Sequence, residues 1–120
     1  MIIQVSTATP HQLNFLVALI EAYDVAPFAP GQKVLVRSYD HEHYVPFSPS
    51  TDPRDGSPLI DVNKISTVYY PCDGNTNPVW CAHTPGAAST ASDEDTALLA
   101  GIRCLVVKHF GATAEIPDDL

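Results

Sequence analysis

The chain has 120 residues, of which 45% are apolar, so its size and composition suit one hydrophobic core and a single domain spanning residues 1–120. Fourteen acidic residues against six Lys and Arg give a formal charge of −8, which opposes direct binding to nucleic acid and to anionic membranes. No apolar run approaches the roughly 20 residues that span a bilayer, and the amino terminus lacks the features of a secretory signal, so we expect a cytosolic protein without membrane association.

The first predicted element is a helix over residues 10–23. Thr9 can cap it, Pro10 fits the first helical position because its missing N–H is not needed there, and Gln12 completes a capping box with Thr9. Apolar residues recur at helical spacing along the segment, which predicts that most of this helix is buried. These residues are Leu13, Phe15, Leu16, Val17, Leu19 and Ile20.

A strand is predicted near residues 33–38, where β-branched residues follow Gly31. Residues 40–65 then carry several residues that disfavour regular structure, and they predict a long proline-rich loop. These residues are Pro46, Pro49, Pro53, Gly56 and Pro58. Because long loops in compact domains often carry function, we expect the binding surface in this segment.

Two further strands are predicted near residues 66–71 and 78–83, and the turn sequence CDGNTN between them indicates a β-hairpin. The sequence TPGAASTAS at residues 84–92 is typical of a small-residue linker. The hairpin and its linker therefore lead directly to the last helix.

The second helix is predicted over about residues 94–109. Ser92 and Asp95 form a capping signal, and Lys108 and His109 complement the negative end of the helix dipole. Its apolar face comprises Leu98, Leu99, Ile102, Leu105 and Val106. Gly111 fits the positive φ that closes a helix. Residues 112–120 form an acidic tail that we expect to dock through Ile116.

The order of these elements predicts an α+β fold, with a small antiparallel sheet made of the three strands and two amphipathic helices packed on one face. A hairpin needs no crossover helix, so a parallel doubly wound sheet fits poorly.

The three cysteines suggest reduced thiols, because an odd number without an export signal argues against a disulfide framework. A bond between Cys72 and Cys81 stays open for an oxidising compartment. Cys104 lies in an apolar stretch, where a free cysteine acts as a small buried hydrophobe.

A zinc site is an alternative reading of the hairpin. Zinc prefers thiolate and imidazole ligands in tetrahedral geometry, and the hairpin can bring such groups together. The candidate ligands are Cys72, Cys81, His83, His41 and His43. Packing is the commoner role for a cysteine in a strand, so we expect no cofactor, with zinc as the exception to test.

Catalytic motifs with fixed spacing are absent from the sequence. It contains no zinc deaminase pattern, nucleophile elbow, phosphate loop or zinc-binding helix motif. A dyad of Cys81 with His41 or His83 stays open because such groups meet in space. The sequence thus favours a protein that is not an enzyme, with a small zinc- or cysteine-dependent enzyme centred on Cys72, Cys81 and His83 as the alternative and an acidic DNA-mimic inhibitor as a minor one.

Two blocks of the sequence, YVPFSPSTDPRDGSPLIDVNKI at 44–65 and DEDTALLAGIRCLVVKHFGATAEIPDDL at 93–120, resemble the small NinX-type proteins of tailed bacteriophages and prophages. The matching positions in the first block are Ser50, Thr51, Asp52, Gly56, Pro58, Leu59, Ile60 and Ile65. Those in the second are Leu98, Leu99, Ala100, Ile102, Arg103, Val107, Lys108, Phe110 and Gly111. Pro53 stands where that family has Trp, and Cys72, Cys81 and His83 lie outside the pattern.

The resemblance implies a phage or prophage accessory protein that acts in the cytoplasm of the host bacterium. Our hypothesis is a binding protein for a host or phage macromolecule, since aromatic residues beside a rigid loop supply contact area at low entropy cost. The expected contact residues are Tyr44, Phe47, Ser50, Thr51, Asp52, Arg54 and Trp80, with Tyr69 and Tyr70 as further aromatics. Homodimerisation through a sheet edge or the second helix is compatible with this hypothesis.

Overall fold

The structure, a computed structural model, describes residues 1–27, 32–37, 42–70, 79–84, 90–94 and 96–120. The helices in these ranges are α1 (Pro10–Ile20), α2 (Pro53–Val62) and α3 (Ala97–Phe110), preceded by a 3₁₀ turn at Val5–Thr7. The strands there are β1 (Ile2–Gln4), β2 (Asp24–Val25), β3 (Leu35–Arg37), β4 (Val45–Pro46), β5 (Ser66–Tyr70), β6 (Val79–His83), β7 (Thr90–Glu94) and β8 (Thr113–Glu115). The predicted α+β class is confirmed.

The strands form three small antiparallel sheets, ordered β1-β8, β2-β3-β4 and β5-β6-β7. The prediction of one sheet was therefore wrong, because the strand near residues 33–38 does not join the hairpin. Instead β3 pairs with β2 and β4, which are two residues long and too short to leave a periodic pattern in the sequence.

Helix α3 lies at the centre of the fold. Its residues 100–106 are all buried, which is typical of a helix that is covered on every side. It contacts all three strands of the β5-β6-β7 sheet, and α1 and α2 pack against it as well. The prediction placed both amphipathic helices on one face of a sheet. It was wrong for α1, which has its main contacts with α3 and not with the sheet.

A buried arginine ties α3 to the start of the chain. Arg103 Nη1 donates to the carbonyl oxygens of Val5, at 2.6 Å, and Ala8, at 3.0 Å. Carbonyl oxygens that accept from a guanidinium offset the cost of burying its charge. Arg103 belongs to the pattern that resembles NinX proteins, and its observed contacts are structural.

The predicted start of α1 is confirmed. The Gln12 amide donates to Thr9 Oγ1 at 3.2 Å, and the Thr9 amide donates to Gln12 Oε1 at 3.0 Å, so the capping box is complete. The helix ends at Ile20, three residues before the predicted end. Ala22 there adopts a φ of 56°, and the Tyr23 amide reaches back to the carbonyl of Ala18 at 3.0 Å.

The hairpin strands are confirmed, since β5 pairs with β6 from Ser66 opposite His83 to Tyr70 opposite Val79. The predicted turn lies outside the described residues. Residues 90–92 were predicted as the end of the linker. They belong instead to β7 (Thr90–Glu94), which pairs with β6. Because residues up to 94 are used in this strand, α3 starts later than predicted.

The cap of α3 is Thr96, so the predicted cap Ser92, which lies in β7, was wrong, while Asp95 lies outside the described residues. Thr96 Oγ1 accepts from the amide of Leu99 at 3.1 Å, so this side chain satisfies one of the free donors at the helix start. At the other end Gly111 has a positive φ of 80°, as predicted. The tail then adds β8 to β1 and buries Ile116.

Candidate functional site

The segment predicted as a long loop contains helix α2, which the sequence analysis missed. Asp52 caps the helix by accepting from the amide of Arg54 at 3.0 Å, and Pro53 occupies the first helical position. Pro58 sits inside the helix, where it cannot donate to a carbonyl one turn earlier. The pair Asp52-Pro53 was the signal for a helix start, and Gly56 and Pro58 obscured it.

The end of α2 is a tight helix-closing motif. The Lys64 amide donates to the Asp61 carbonyl at 3.2 Å, and the Ile65 amide donates to the Ile60 carbonyl at 3.1 Å. Lys64 adopts a φ of 57°, which is the left-handed conformation that this motif requires and that glycine adopts most easily. Ile65 is then buried and leads directly into β5.

Two glycines allow close contacts around α2 and α3. A Cβ atom on Gly56 would lie 2.1 Å from the carbonyl oxygen of Pro49 and 2.7 Å from Cδ1 of Leu98. A Cβ atom on Gly101 would lie 2.6 Å from Cδ1 of Ile60. The two blocks that resemble NinX proteins therefore meet each other at the contact between α2 and α3, which we call the α2–α3 contact.

Ser50 fastens the segment before α2 to α1. Its amide donates to Asn14 Oδ1 at 3.0 Å, and its hydroxyl lies 2.7 Å from the same oxygen and 3.2 Å from the carbonyl oxygen of Pro10. Ser50 and Asn14 are both buried. Buried polar groups that satisfy each other in this way fix the position of a segment. Ser50 is thus an interior residue and is not available as a surface contact.

Phe47 was predicted to lie on the binding surface, but it is also buried. Its ring packs edge-on against Tyr23, with 5.3 Å between the ring centroids. Burial raises the pKa of Tyr23, and the nearby charges of Glu21 and Asp55 raise it further. Phe47 and Tyr23 therefore form part of the core that positions the chain before α2.

Tyr44 lies at the surface and is held by two charged residues from neighbouring strands. Its hydroxyl donates to Asp24 Oδ2 at 2.8 Å, and Arg37 Nη2 donates to the same oxygen at 2.6 Å. The Arg37 guanidinium also lies 4.9 Å from the centre of the Tyr44 ring, which is the geometry of a cation–π contact. We call Asp24, Arg37 and Tyr44 the Tyr44 cluster.

Pairing of β2 with β3 builds the Tyr44 cluster, because it places Asp24 directly opposite Arg37. Hydrogen bonds from Tyr44 and then from Arg37 hold the pKa of Asp24 below its ordinary value. Donation to Asp24 in turn raises the pKa of Tyr44. Asp24 and Arg37 were not predicted as site residues, since their separation along the chain carries no periodic signal.

The remaining predicted contact residues of the segment are the exposed Thr51 and Arg54 and the partly exposed Asp52. Arg54 Nη2 lies 3.2 Å from Asp52 Oδ2. Hydrogen bonds from Arg54 and the charge of Lys33 lower the pKa of Asp52. These residues cap α2 at the surface, and whether they also bind a partner stays a prediction.

Trp80 lies on the β5-β6-β7 sheet and is distant in the sequence from the residues of the Tyr44 cluster. It stands directly opposite Tyr69, and the two ring centroids are 5.0 Å apart. Tyr69 is 46% exposed and Trp80 is partly buried, so the pair covers the sheet and also reaches solvent. The side chain of Tyr70 lies outside the described residues.

The zinc hypothesis is not tested by the structure, since Cys72 and His41 lie outside the described residues. Cys81 is a buried free thiol, His83 is partly buried and His43 is exposed. Among the residues that the structure describes, no group of three or more His, Cys, Asp and Glu side chains is placed to hold a metal ion. Cys104 is a buried free thiol, as its apolar surroundings predicted.

Comparison with known proteins agrees with the resemblance found in the sequence. The family model described as "Bacteriophage P22, NinX" matches residues 4–109, a span that includes α1, α2, the hairpin strands and most of α3. A search of curated proteins found no match. In the described part of the chain, no helix is long and apolar enough to cross a membrane. Because the matched span covers most of its length, the chain belongs to the NinX family of bacteriophage P22.

Proposed function

We propose that this NinX-family protein is a non-enzymatic binding protein that acts on a host or phage protein in the cytoplasm of the infected bacterium. The Tyr44 cluster is its contact surface. One observation carries the proposal: Tyr44 is 37% exposed, yet its hydroxyl and its ring are both held by neighbouring side chains. An exposed aromatic side chain with two fixed contacts is suited to contact a partner.

The contacts of Tyr44 reduce the cost of binding. A side chain that is free in solution loses rotamer entropy at an interface, at about 0.5 to 1.5 kcal/mol for each immobilised group. The hydrogen bond to Asp24 and the contact with Arg37 restrict Tyr44 before any partner arrives. Tyr and Arg are also the residue types most often found where interface energy concentrates.

The surroundings of Tyr44 indicate the chemistry of the partner. Val45 next to it is exposed as well, so the cluster offers an apolar area beside a neutralised ion pair. The charge of −8 on the chain favours encounter with a positively charged surface. We therefore expect a protein whose apolar contact area is surrounded by basic residues.

Affinity capture from phage-infected cells tests this proposal, using the tagged wild-type protein and the Tyr44→Ala variant. The matched control is Val62→Ala, which truncates a 77% exposed apolar side chain at the end of α2. Loss of a main contact residue costs about 2 kcal/mol, so the captured amount of a specific partner should fall roughly 30-fold with Tyr44→Ala. It should be unchanged with Val62→Ala.

The proposal is wrong if Tyr44→Ala captures the same proteins in the same amounts as the wild type while both variants remain folded. A partner that is lost equally with both substitutions would point to a different surface. Circular dichroism of each variant supplies the folding control.

A further inference from the structure

Strand β5 lies at an edge of the β5-β6-β7 sheet. It pairs with β6 on one side, and no described strand pairs with its other side. Val68 and Tyr69 are 39% and 46% exposed, although side chains of successive strand residues point to opposite faces. Exposure of both Val68 and Tyr69 is expected where a strand lies at the edge of a sheet and is open to solvent.

The sequence of β5, STVYY, contains no charged residue and no proline. Edge strands of natural proteins usually carry charges, prolines or bulges that prevent pairing with other chains. The other edges of the two three-stranded sheets have such features, whereas β1, which also lacks charge and proline, is only three residues long. β7 contains Asp93 and Glu94 and shows a register shift against β6, while β4 contains Pro46 and β2 contains Asp24.

We infer that two copies of this chain associate by antiparallel pairing of their β5 edges. The pairing would join the two three-stranded sheets into one sheet of six strands. This surface is separate from the Tyr44 cluster, so the inference does not depend on the proposed partner.

Symmetry specifies the register of this pairing. A two-fold axis makes the same surface contact itself, and the register that keeps all five residues of β5 paired places Val68 opposite Val68 of the second copy. Ser66 then lies opposite Tyr70, and Thr67 lies opposite Tyr69. Uncharged, β-branched and aromatic residues face each other at every position, which is favourable across antiparallel strands.

Charge explains why a second copy can occupy this edge despite the acidity of the chain. Each copy carries −8, which opposes association at most surfaces. At β5 no like charges meet, because none of its five residues is charged. Five paired residues form an interface below the roughly 1,000 Å² of stable complexes, so we expect a dissociation constant in the micromolar range.

Sedimentation velocity between about 1 and 300 µM tests the inference, since this range brackets micromolar dissociation. The wild-type protein should convert from monomer to dimer. Val68→Lys and Val68→Glu should each stay monomeric, because they place like charges on the two-fold axis. Their equimolar mixture should regain the dimer through opposite charges. Val62→Lys, which changes an exposed residue of α2, should dimerise like the wild type.

Hydrogen exchange of the wild-type protein provides a test that does not depend on a folded variant. The amides of residues 66–70 should gain protection as the concentration rises through the dimer transition, and those of β1 should not. A wild-type chain that stays monomeric up to the highest concentration overturns the inference. So does a dimer that both Val68 variants form alone, or one whose β5 amides gain no protection.

Discussion

The α2–α3 contact and the Tyr44 cluster each include residues of the segment 40–65 and are opposite in character. The α2–α3 contact is buried and has no space for a larger side chain at Gly56, since even a methyl group there would meet the backbone of Pro49. The Tyr44 cluster is exposed, and the side chains of Asp24 and Arg37 hold the hydroxyl and the ring of Tyr44. One region therefore maintains the fold, while the other is the contact surface that we propose.

Several positions that match the NinX pattern have structural roles here. Gly56 and Ile60 support the α2–α3 contact, Ser50 fastens the preceding segment to α1, and Asp52 caps α2. Asp24 and Arg37 of the Tyr44 cluster are not among the matching positions of the two blocks, although the family model spans them. The proposed binding surface therefore rests on tertiary geometry.

The largest expected effect breaks the α2–α3 contact. Gly56→Ala should lower the free energy of unfolding by about 3 kcal/mol, because the added methyl group has no space beside the Pro49 carbonyl. Urea denaturation measures the change. Ser57→Ala, at the neighbouring exposed position of α2, should alter it by less than about 0.5 kcal/mol. Equal effects at both positions would show that the close approach is unimportant.

The next effect concerns the attachment of Ser50. Asn14→Ala removes the acceptor of both the amide and the hydroxyl of Ser50, leaving a buried amide without its partner. The loss should be about 2 kcal/mol in urea denaturation. His11→Ala on the same helix is the control and should change stability by less than about 0.5 kcal/mol. A small loss with Asn14→Ala would mean that the segment holds its position by other contacts.

A smaller effect, opposite in sign, is expected at the end of α2. Lys64→Gly should raise the free energy of unfolding by about 0.5 to 1 kcal/mol, since Lys64 has a φ of 57° that glycine adopts without strain. Ser57→Gly inside the same helix should instead destabilise by about 0.5 kcal/mol. If both glycines destabilise, the strain at Lys64 is negligible.

The smallest effect on stability is expected at the Tyr44 cluster, where a spectroscopic change should accompany it. Asp24→Asn removes a charged acceptor, so the pKa of Tyr44 should fall back toward its ordinary value of 10.0. The free energy of unfolding should change little, because Asp24 and Arg37 are exposed and solvent screens their interaction. Titration of tyrosine Cζ by NMR, assigned with Tyr44→Phe, measures the shift. Asp61→Asn, at an exposed position of α2, should leave it unchanged.

The pH dependence of this cluster has a definite sign. The lowered pKa of Asp24 means that its contribution is present above its ordinary value of 3.8 and is lost as acid protonates the folded form below that pH. The raised pKa of Tyr44 means that its contribution is present below pH 10.0 and is lost above it. Tyr44 should therefore stay fixed throughout the neutral range. If the Tyr44 side chain became mobile near neutral pH, seen as narrowing of its NMR lines, this would contradict its hydrogen bond to Asp24.

Local chemistry made several elements predictable from the sequence. The capping box at Thr9, the apolar face of α1 and the paired strands on either side of CDGNTN all depend on neighbours within a few residues. The family resemblance was also readable, since it rests on residue order alone. The helix α2 was missed because Gly56 and Pro58 disfavour a helix locally, while packing against α3 stabilises it.

The sequence by itself determined the α+β class, the start of α1, the hairpin strands and the family. Only the tertiary structure decided that the strands form three sheets, that Phe47 and Ser50 are buried, and that Tyr44 meets Asp24 and Arg37. The physical reason is distance along the chain. Capping and periodicity act between near neighbours, whereas burial and side-chain contacts depend on residues that only folding brings together.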